Sequence, residues 1–407
     1  MLRILTNLGR TVTATATFPF GWKEHSGGEI AIRDGQIVAV PWGEKVVPLA
    51  GEEAVVHDCG GKGLLLPGFV DSHTHLVYGG NRAHEFARRC SGETYREISA
   101  TGGGIRYTVR QTRSASVAEL TEGVKERLDR ALRAGTTTIE IKASYGLEKN
   151  ADLKQLTAIH KAASEFPGTV VATCLSAHEI PDEYLSDRSK YIELLCQEIL
   201  PAVKEQGIAT RADIYCEEKV FSVAEARLIL TRAKDLGFEL TMHADQWTNL
   251  GGAELAAELG VRSADHLEMT GDKELKALAK AGVVAGLLPG SVWFANSHTY
   301  PDYAKFKEFG IPVAVASDHN PGSSMVLEMP LVLTLAGLGC KLTGKDAIAA
   351  STLGGAMALG RVNESGSIEI GKRADLTLWD VEHEDEIAYR AGGVSPKRII
   401  VGGKILS

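Results

Sequence analysis

Between residues 64 and 317 the chain alternates two hydrophobic patterns. Short, mostly apolar runs are each followed by a longer amphipathic stretch. Eight such runs stand out: Leu64 to Val70, Thr136 to Ile141, Thr169 to Leu175, Arg211 to Cys216, Phe238 to His243, Arg262 to His266, Val283 to Leu288 and Pro312 to Ser317. Runs of this length, without a polar face, fit strands covered on both sides, as in a parallel sheet. The segments between them, such as Ser116 to Ala134 and Ser222 to Leu236, read as helices. Eight strand–helix units predict an α/β chain closed into a (β/α)8 TIM-type barrel.

The two ends of the chain follow another rule. Glu29 to Ile32, the turn Arg33-Asp34-Gly35-Gln36 and Ile37 to Val40 predict a hairpin. The C-terminus repeats the idiom: Ser367-Ile368-Glu369, a turn at Gly371 to Arg373, Ala374 to Trp379, and later Arg398 to Val401 with Gly402-Gly403 before Lys404-Ile405. Both ends therefore predict strands of one small β unit that the rest of the sequence interrupts. No internal repeat or low-complexity tract stands out.

Composition narrows the function classes. The 407 residues carry a formal net charge of −8, which argues against nucleic acid as a partner. A local Arg can still grip an anionic small molecule. No apolar run approaches the ~20 residues of a membrane span, and Met1 to Arg10 has no apolar signal core. The six cysteines are scattered, with no C-x-x-C pair, as in a reducing compartment. The expected location is cytoplasmic, away from membranes.

Chemistry enters at Pro67-Gly68-Phe69-Val70-Asp71-Ser72-His73-Thr74-His75. Residues i and i+2 of a strand share a face, so His73 and His75 present two imidazoles together at the C-terminal end of the first barrel strand. Barrel enzymes keep their active sites at that end. His178 lies just past strand three, His243 ends strand five, His266 closes strand six and Asp318 follows strand eight. Six ionisable groups on one rim are hard to explain by core packing. Three His and one Asp match the ligand types of a hydrolytic zinc or iron site. His25, His57, His84, His160 and His383 fall off this rim, and His298 and His319 near it. Lys142 raises a second arrangement, a carboxylated lysine of strand four bridging two metals; one metal with an ordinary charged Lys142 is the preferred expectation.

The His-x-His strand, His243, His266 and Asp318 resemble the amidohydrolase superfamily. Gly366 to Leu376 resembles the closing segment of that superfamily's composite β-sandwich. Within it, Tyr78 to Phe86, Tyr95 to Ile105, Glu140-Ile141-Lys142 with Tyr145-Gly146-Leu147, His243 to Gln246, and Ser317 to Ser324 are similar to the imidazolonepropionase family. The resemblance spans nearly the whole chain. It implies a composite β-sandwich over 1–63 and 360–407 and a barrel over 64–359. It implies His73, His75, His243 and Asp318 as ligands of one Zn2+ or Fe2+/Fe3+ ion per chain. Asp318, His266, His178 and Gln246 would serve catalysis. Arg82, Tyr95, Tyr145, His178, Gln246, Asn320, Gly322 and Ser323 would contact substrate or product. Two positions depart from the pattern: Ala143-Ser144 stands where Ser-Gly is common, and position 246 is Gln where some members carry Glu. Gln cannot transfer protons, although it donates and accepts hydrogen bonds.

The implied reaction opens the cyclic amide of 4-imidazolone-5-propanoate with water to give N-formimino-L-glutamate, the third step of histidine degradation. Arg82 offers a fork for the propionate. A homodimer is compatible with the resemblance. The alternatives weighed are another amidohydrolase, such as a heterocycle deaminase, and a non-catalytic metal-binding scaffold.

Overall fold

The computed structural model describes residues 1–406 except 44–48, 50–51, 94–96 and 99–100. Its centre is an eight-stranded parallel sheet in sequential order: Phe69–Asp71, Thr136–Ala143, Thr169–Ala177, Arg211–Cys216, Glu239–Ala244, Ser263–His266, Val284–Leu287 and Val313–Val315. These are barrel strands one to eight. Strand eight meets strand one just beyond their ends. The Ser317 N–H and hydroxyl donate to the Asp71 carboxylate, Asp318 N–H to His73 O, and His75 N–H to His319 O. The eight predicted units are therefore present, as a nearly closed TIM-type barrel.

Helices cover the strands where the amphipathic pattern places them. Val117–Arg133 and Val223–Asp235 each begin with a capping box, Ser116 with Glu119 and Ser222 with Glu225. The reciprocal side-chain bonds satisfy backbone donors that the first turn leaves open. Leu120, Val124, Leu128 and Ala131 recur at three or four residues and are buried. Each Leu or Val so covered contributes roughly 1.5–3 kcal/mol.

The first predicted strand is in fact two. Leu64–Pro67 pairs with Leu376–Trp379 and Arg10–Thr15 in a six-stranded sheet, and only Phe69–Asp71 joins the barrel. The chain changes sheets at Gly68, where a Cβ would lie 2.2 Å from Thr137 Oγ1. The unbroken Leu64-Leu65-Leu66 run follows from this position. Leu64 and Leu66 face the barrel-side core, and Leu65 packs with Leu5, Ile30, Ile37, Leu376 and Ile400. Both faces are covered, so no alternation survives in the sequence.

Chain ends supply the remaining strands. A four-stranded sheet holds Leu2–Thr6, Ile30–Arg33, Gln36–Ala39 and Ala54–Asp58; the six-stranded sheet adds Gly21–Ser26, Arg398–Val401 and Lys404–Ile405. Asp34 and Gly35 both have positive φ (51° and 83°), as the predicted two-residue turn demands. Ser367 to Glu369 is not a strand. Ile368 N–H goes to the Thr13 side chain instead of a neighbouring backbone. Among the described residues no helix is long and apolar enough to cross a membrane.

Candidate active site

The seam between strands eight and one builds the centre of the site. It aligns His73 and His75 against Asp318, all three nearly inaccessible to solvent. Strand five brings His243, strand six His266, and the end of strand three His178. The groups His73/His75/Asp318, His73/His243/His266 and His75/His178/His243 each place their ligand atoms within 4.8 Å of one another. All six rim residues read from the sequence thus come together.

Hydrogen bonds decide which nitrogen of each ring faces inward. His73 Nδ1 pairs with Asp265 Oδ2 at 2.8 Å, His243 Nδ1 lies 3.0 Å from Asp213 Oδ2, and His75 Nδ1 pairs with Ser144 Oγ at 2.9 Å. A carboxylate accepts a proton's bond, so Nδ1 of His73 and His243 carries hydrogen and Nε2 keeps its lone pair. The two Nε2 atoms then face each other at 3.1 Å, which is repulsive unless a cation lies between them. His75 Nε2 and His73 Nε2 are 3.4 and 3.6 Å from Asp318 Oδ1. Ligand bonds of about 2.0–2.1 Å in a tetrahedron imply edges of roughly 3.4 Å. The donor set therefore fits a single metal ion, and the cluster could hold one.

Lys142 lies on strand two, one residue before its end, not on strand four, and is fully buried. Its Nζ makes ion pairs with Glu140 Oε1 at 2.8 Å and Asp213 Oδ2 at 2.9 Å. Burial alone would lower the ammonium, but Asp213, Glu140 and Asp265 overcome it and raise its pKa. These two ion pairs are those of an ordinary charged Lys142. The Asp213 carboxyl is held well down by His243 and Lys142 against the effect of burial.

Burial depresses the pKa of His73 and His178 strongly, helped by neighbouring positive groups. His266 moves the other way. Burial works against its charged form, but Glu268, Asp318 and Asp265 prevail. Burial likewise works to raise Asp318, and His75, His266 and His243 bring it below the usual carboxylate range. Asp245, His266, Leu267 and Asp318 all adopt positive φ, 52°, 82°, 66° and 50°. Such backbone is costly for residues other than Gly and gathers at functional sites; here it turns the chain at the ends of strands five, six and eight.

The outer residues form a wall on two sides. Arg82 caps the helix Ala83–Cys90 and is buried, not superficial. Its Nε and one terminal nitrogen each lie 2.7 Å from Glu85 Oε2, and Glu85 Oε1 accepts Gly104 N–H at 2.9 Å. A Cβ on Gly322 would stand 2.1 Å from the other guanidinium nitrogen, so Gly322 permits close approach of this Arg to the loop after strand eight. Asn320 folds that loop: its Oδ1 accepts from the N–H of Gly322 and Ser323, and its Nδ2 donates to Asp318 O. Ser323 is half-buried beside it. Opposite, the Tyr145 ring lies 6.0 Å from that of His75 and 5.6 Å from that of His178. Gln246 Oε1 accepts from the Tyr215 hydroxyl at 2.6 Å. Tyr95 lies outside the described residues. Of the two other near-rim histidines, His298 is exposed and His319 is buried against the Tyr78 hydroxyl.

Sequence reasoning missed Asp213, Asp265, Ser144, Glu85 and Tyr215. Asp213 and Asp265 did leave a signal. Each is an acid within a short barrel strand, Arg211–Cys216 or Ser263–His266, where burial calls for a partner.

Residues 64–406 match the amidohydrolase family. An imidazolonepropionase of Symbiobacterium thermophilum is 46% identical over 383 residues, 93% of this chain and 90% of the relative. One from Erwinia tasmaniensis is 42% identical over 93% of this chain and 92% of its own length. In architecture the chain is similar to E. coli guanine deaminase (TM-score 0.72, 18% identity, 100% and 99% covered). It is also similar to an atrazine chlorohydrolase variant from Arthrobacter aurescens TC1, solved with zinc and atraton (TM-score 0.71, 18% identity, 99% and 95% covered). The two solved structures speak for the fold, and the sequence relatives for more: this chain belongs to the imidazolonepropionase family of amidohydrolases.

Proposed function

We propose that the chain hydrolyses 4-imidazolone-5-propanoate to N-formimino-L-glutamate, the third step of histidine degradation, with one Zn2+ or iron ion held by His73, His75, His243 and Asp318. The observation that carries this is the inward convergence of imidazole lone pairs around Asp318. When bound, such an ion supplies an acidified water near neutral pH and polarises the carbonyl under attack. Asp318, a carboxylate at neutral pH by its lowered pKa, accepts the proton from the attacking water and returns it to the ring nitrogen as the C–N bond breaks. His266 orients the nucleophile and the carbonyl, and His178 borders the ring.

Substrate contacts follow from the walls. Arg82 holds the propionate, and the Glu85 bond fixes which of its edges is offered. Glu85 takes Nε and one terminal nitrogen, and the propionate is assigned to the guanidinium edge beside Gly322. Tyr145, Gln246, Asn320 and Ser323 frame the ring and the opened product, with Tyr95 assigned to the same contact set. Gln246 acts through hydrogen bonds alone. Assembly as a homodimer and residence in the cytoplasm belong to the same proposal, and light scattering and fractionation check them.

The deciding experiment gives metal-loaded protein the candidate substrate and identifies the product by mass and NMR. The expected product is heavier by one water, with an open chain. Release of ammonia would point to a deaminase and overturn the proposal.

A further inference from the structure

Behind the three imidazoles lies an ammonium group that hydrolysis at a metal centre does not itself require. Lys142 is fully buried on strand two, and its backbone N–H donates to Thr74 O, between the two histidines of the first motif. Its Nζ is 2.9 Å from Asp213 Oδ2, and the same oxygen is 3.0 Å from His243 Nδ1. The other Asp213 oxygen accepts Ile214 N–H at 2.7 Å. On its far side Nζ meets Glu140 Oε1, which also accepts from the Thr173 hydroxyl at 2.5 Å; Glu140 Oε2 accepts Thr74 N–H at 3.3 Å.

We propose that Lys142 is a positioning residue for the metal centre, holding Asp213 against His243 so that the imidazole keeps the tautomer and direction that ligation needs. The inference rests on His73, His75, His243 and Asp318 being the ligands. Two buried carboxylates, Glu140 and Asp213, repel each other unless a cation stands between them. Lys142 is that cation, and three N–H donors on one nitrogen let it bond both. Take the charge away, and Asp213 has reason to turn from His243, whose Nδ1 has no other partner among the described residues. Groups that orient a ligating histidine typically govern affinity by 10–100-fold.

Zinc affinity, measured without substrate, tests this. The stripped protein is titrated with zinc against a competing chromophoric chelator, and folding is followed by circular dichroism and Tm. Lys142→Met keeps the stem and removes the charge. The double change Glu140→Gln with Lys142→Met removes the repulsion between the carboxylates but still takes away the Nζ that tethers Asp213, so it isolates the tether and keeps the test open if the single variant does not fold. Both are expected to weaken zinc binding about 10–100-fold. Added to Asp213→Asn, the same double change is expected to cost under about twofold, because the route to His243 is already gone. A double variant that binds zinc within about twofold of the parent overturns the role of Lys142. So does an equal loss with and without Asp213. If the parent itself binds no zinc, the ligand assignment falls first and this role with it.

Discussion

Two buried charge clusters flank the site, and they are built differently. Under the centre, Lys142, Glu140, Asp213 and Asp265 come from strands two, four and six, and they bond one another, neighbouring barrel side chains and the backbone N–H groups of Thr74 and Ile214. At the edge, Arg82 and Glu85 are three residues apart at the start of one helix, and their further supports are the Gly104 N–H and the Gly322 loop. Strand-borne groups hold their geometry as rigidly as the sheet does, which suits ligands that must meet within tenths of an ångström. Helix starts and loops give way more easily, which suits a carboxylate that must enter and leave. On the proposed function, metal retention falls to the first cluster and substrate affinity to the second.

The largest expected effect tests the strand-borne side. His243→Ala removes one lone pair from the centre and leaves Asp213 without its imidazole partner. Loss of nearly all bound metal by elemental analysis, and of turnover with it, is expected. Full metal content in a folded His243→Ala chain would break the assignment of this cluster. Asp318→Asn comes next. It keeps one oxygen at the centre but removes the basic carboxylate. Turnover should fall by about 10²–10⁴ with metal partly kept, and near-parent turnover at full metal content would exclude the proton-transfer role.

Arg82→Met tests the other side. Glu85 is then left buried beside an apolar stem, and the propionate loses its cation. A loss of about 2–5 kcal/mol in substrate affinity is expected, seen mainly in kcat/KM with metal content unchanged. A substrate analogue without the propionate should be indifferent to the change. Loss of metal from Arg82→Met would mean that the two clusters are not separate devices.

The strand–helix alternation was legible because short, mostly apolar runs recur with longer helical stretches between them, two of which open on capping boxes. The candidate ligands were legible because His-x-His and His243 sit where such runs stop. The split at Gly68 was not, since Leu64 to Val70 is apolar throughout and hydropathy does not record a change of sheet. The Ser367 to Glu369 segment misled for a related reason: its backbone bonds run to the Thr13 side chain and to loops. Glu85 was not singled out, because an i, i+3 pair with Arg82 looks the same in sequence whether exposed or, as here, nearly closed to solvent. Asp213 and Asp265 needed three-dimensional pairing across strands, which no local spacing encodes.

A third buried acid sharpens the contrast by lacking what both clusters have. Asp152 opens the helix after strand two and accepts Leu147 N–H at 3.0 Å and the Gln155 amide at 3.4 Å. These neutral donors brace the Tyr145-Gly146-Leu147 loop, but among the described residues no cation is bonded to the carboxyl; Arg113 acts on it only from a distance. Burial therefore prevails and pushes the carboxyl up to about 7 from an ordinary 3.8. A folded value above the unfolded one means that the native state binds the extra proton between those two pH values, so stability falls as pH rises across that window. Asp152→Asn retains an accepting oxygen for Leu147 and has no charge to bury. Its Tm should exceed the parent's by about 2–5 °C at pH 8, and the gap should narrow steadily towards pH 5. Metal content should not change, because Asp152 bonds none of the imidazoles. A gap that stays constant from pH 5 to 8, or a variant less stable than the parent at pH 8, would show that Asp152 is charged and satisfied in the fold, and that a buried acid here needs no bonded cation after all.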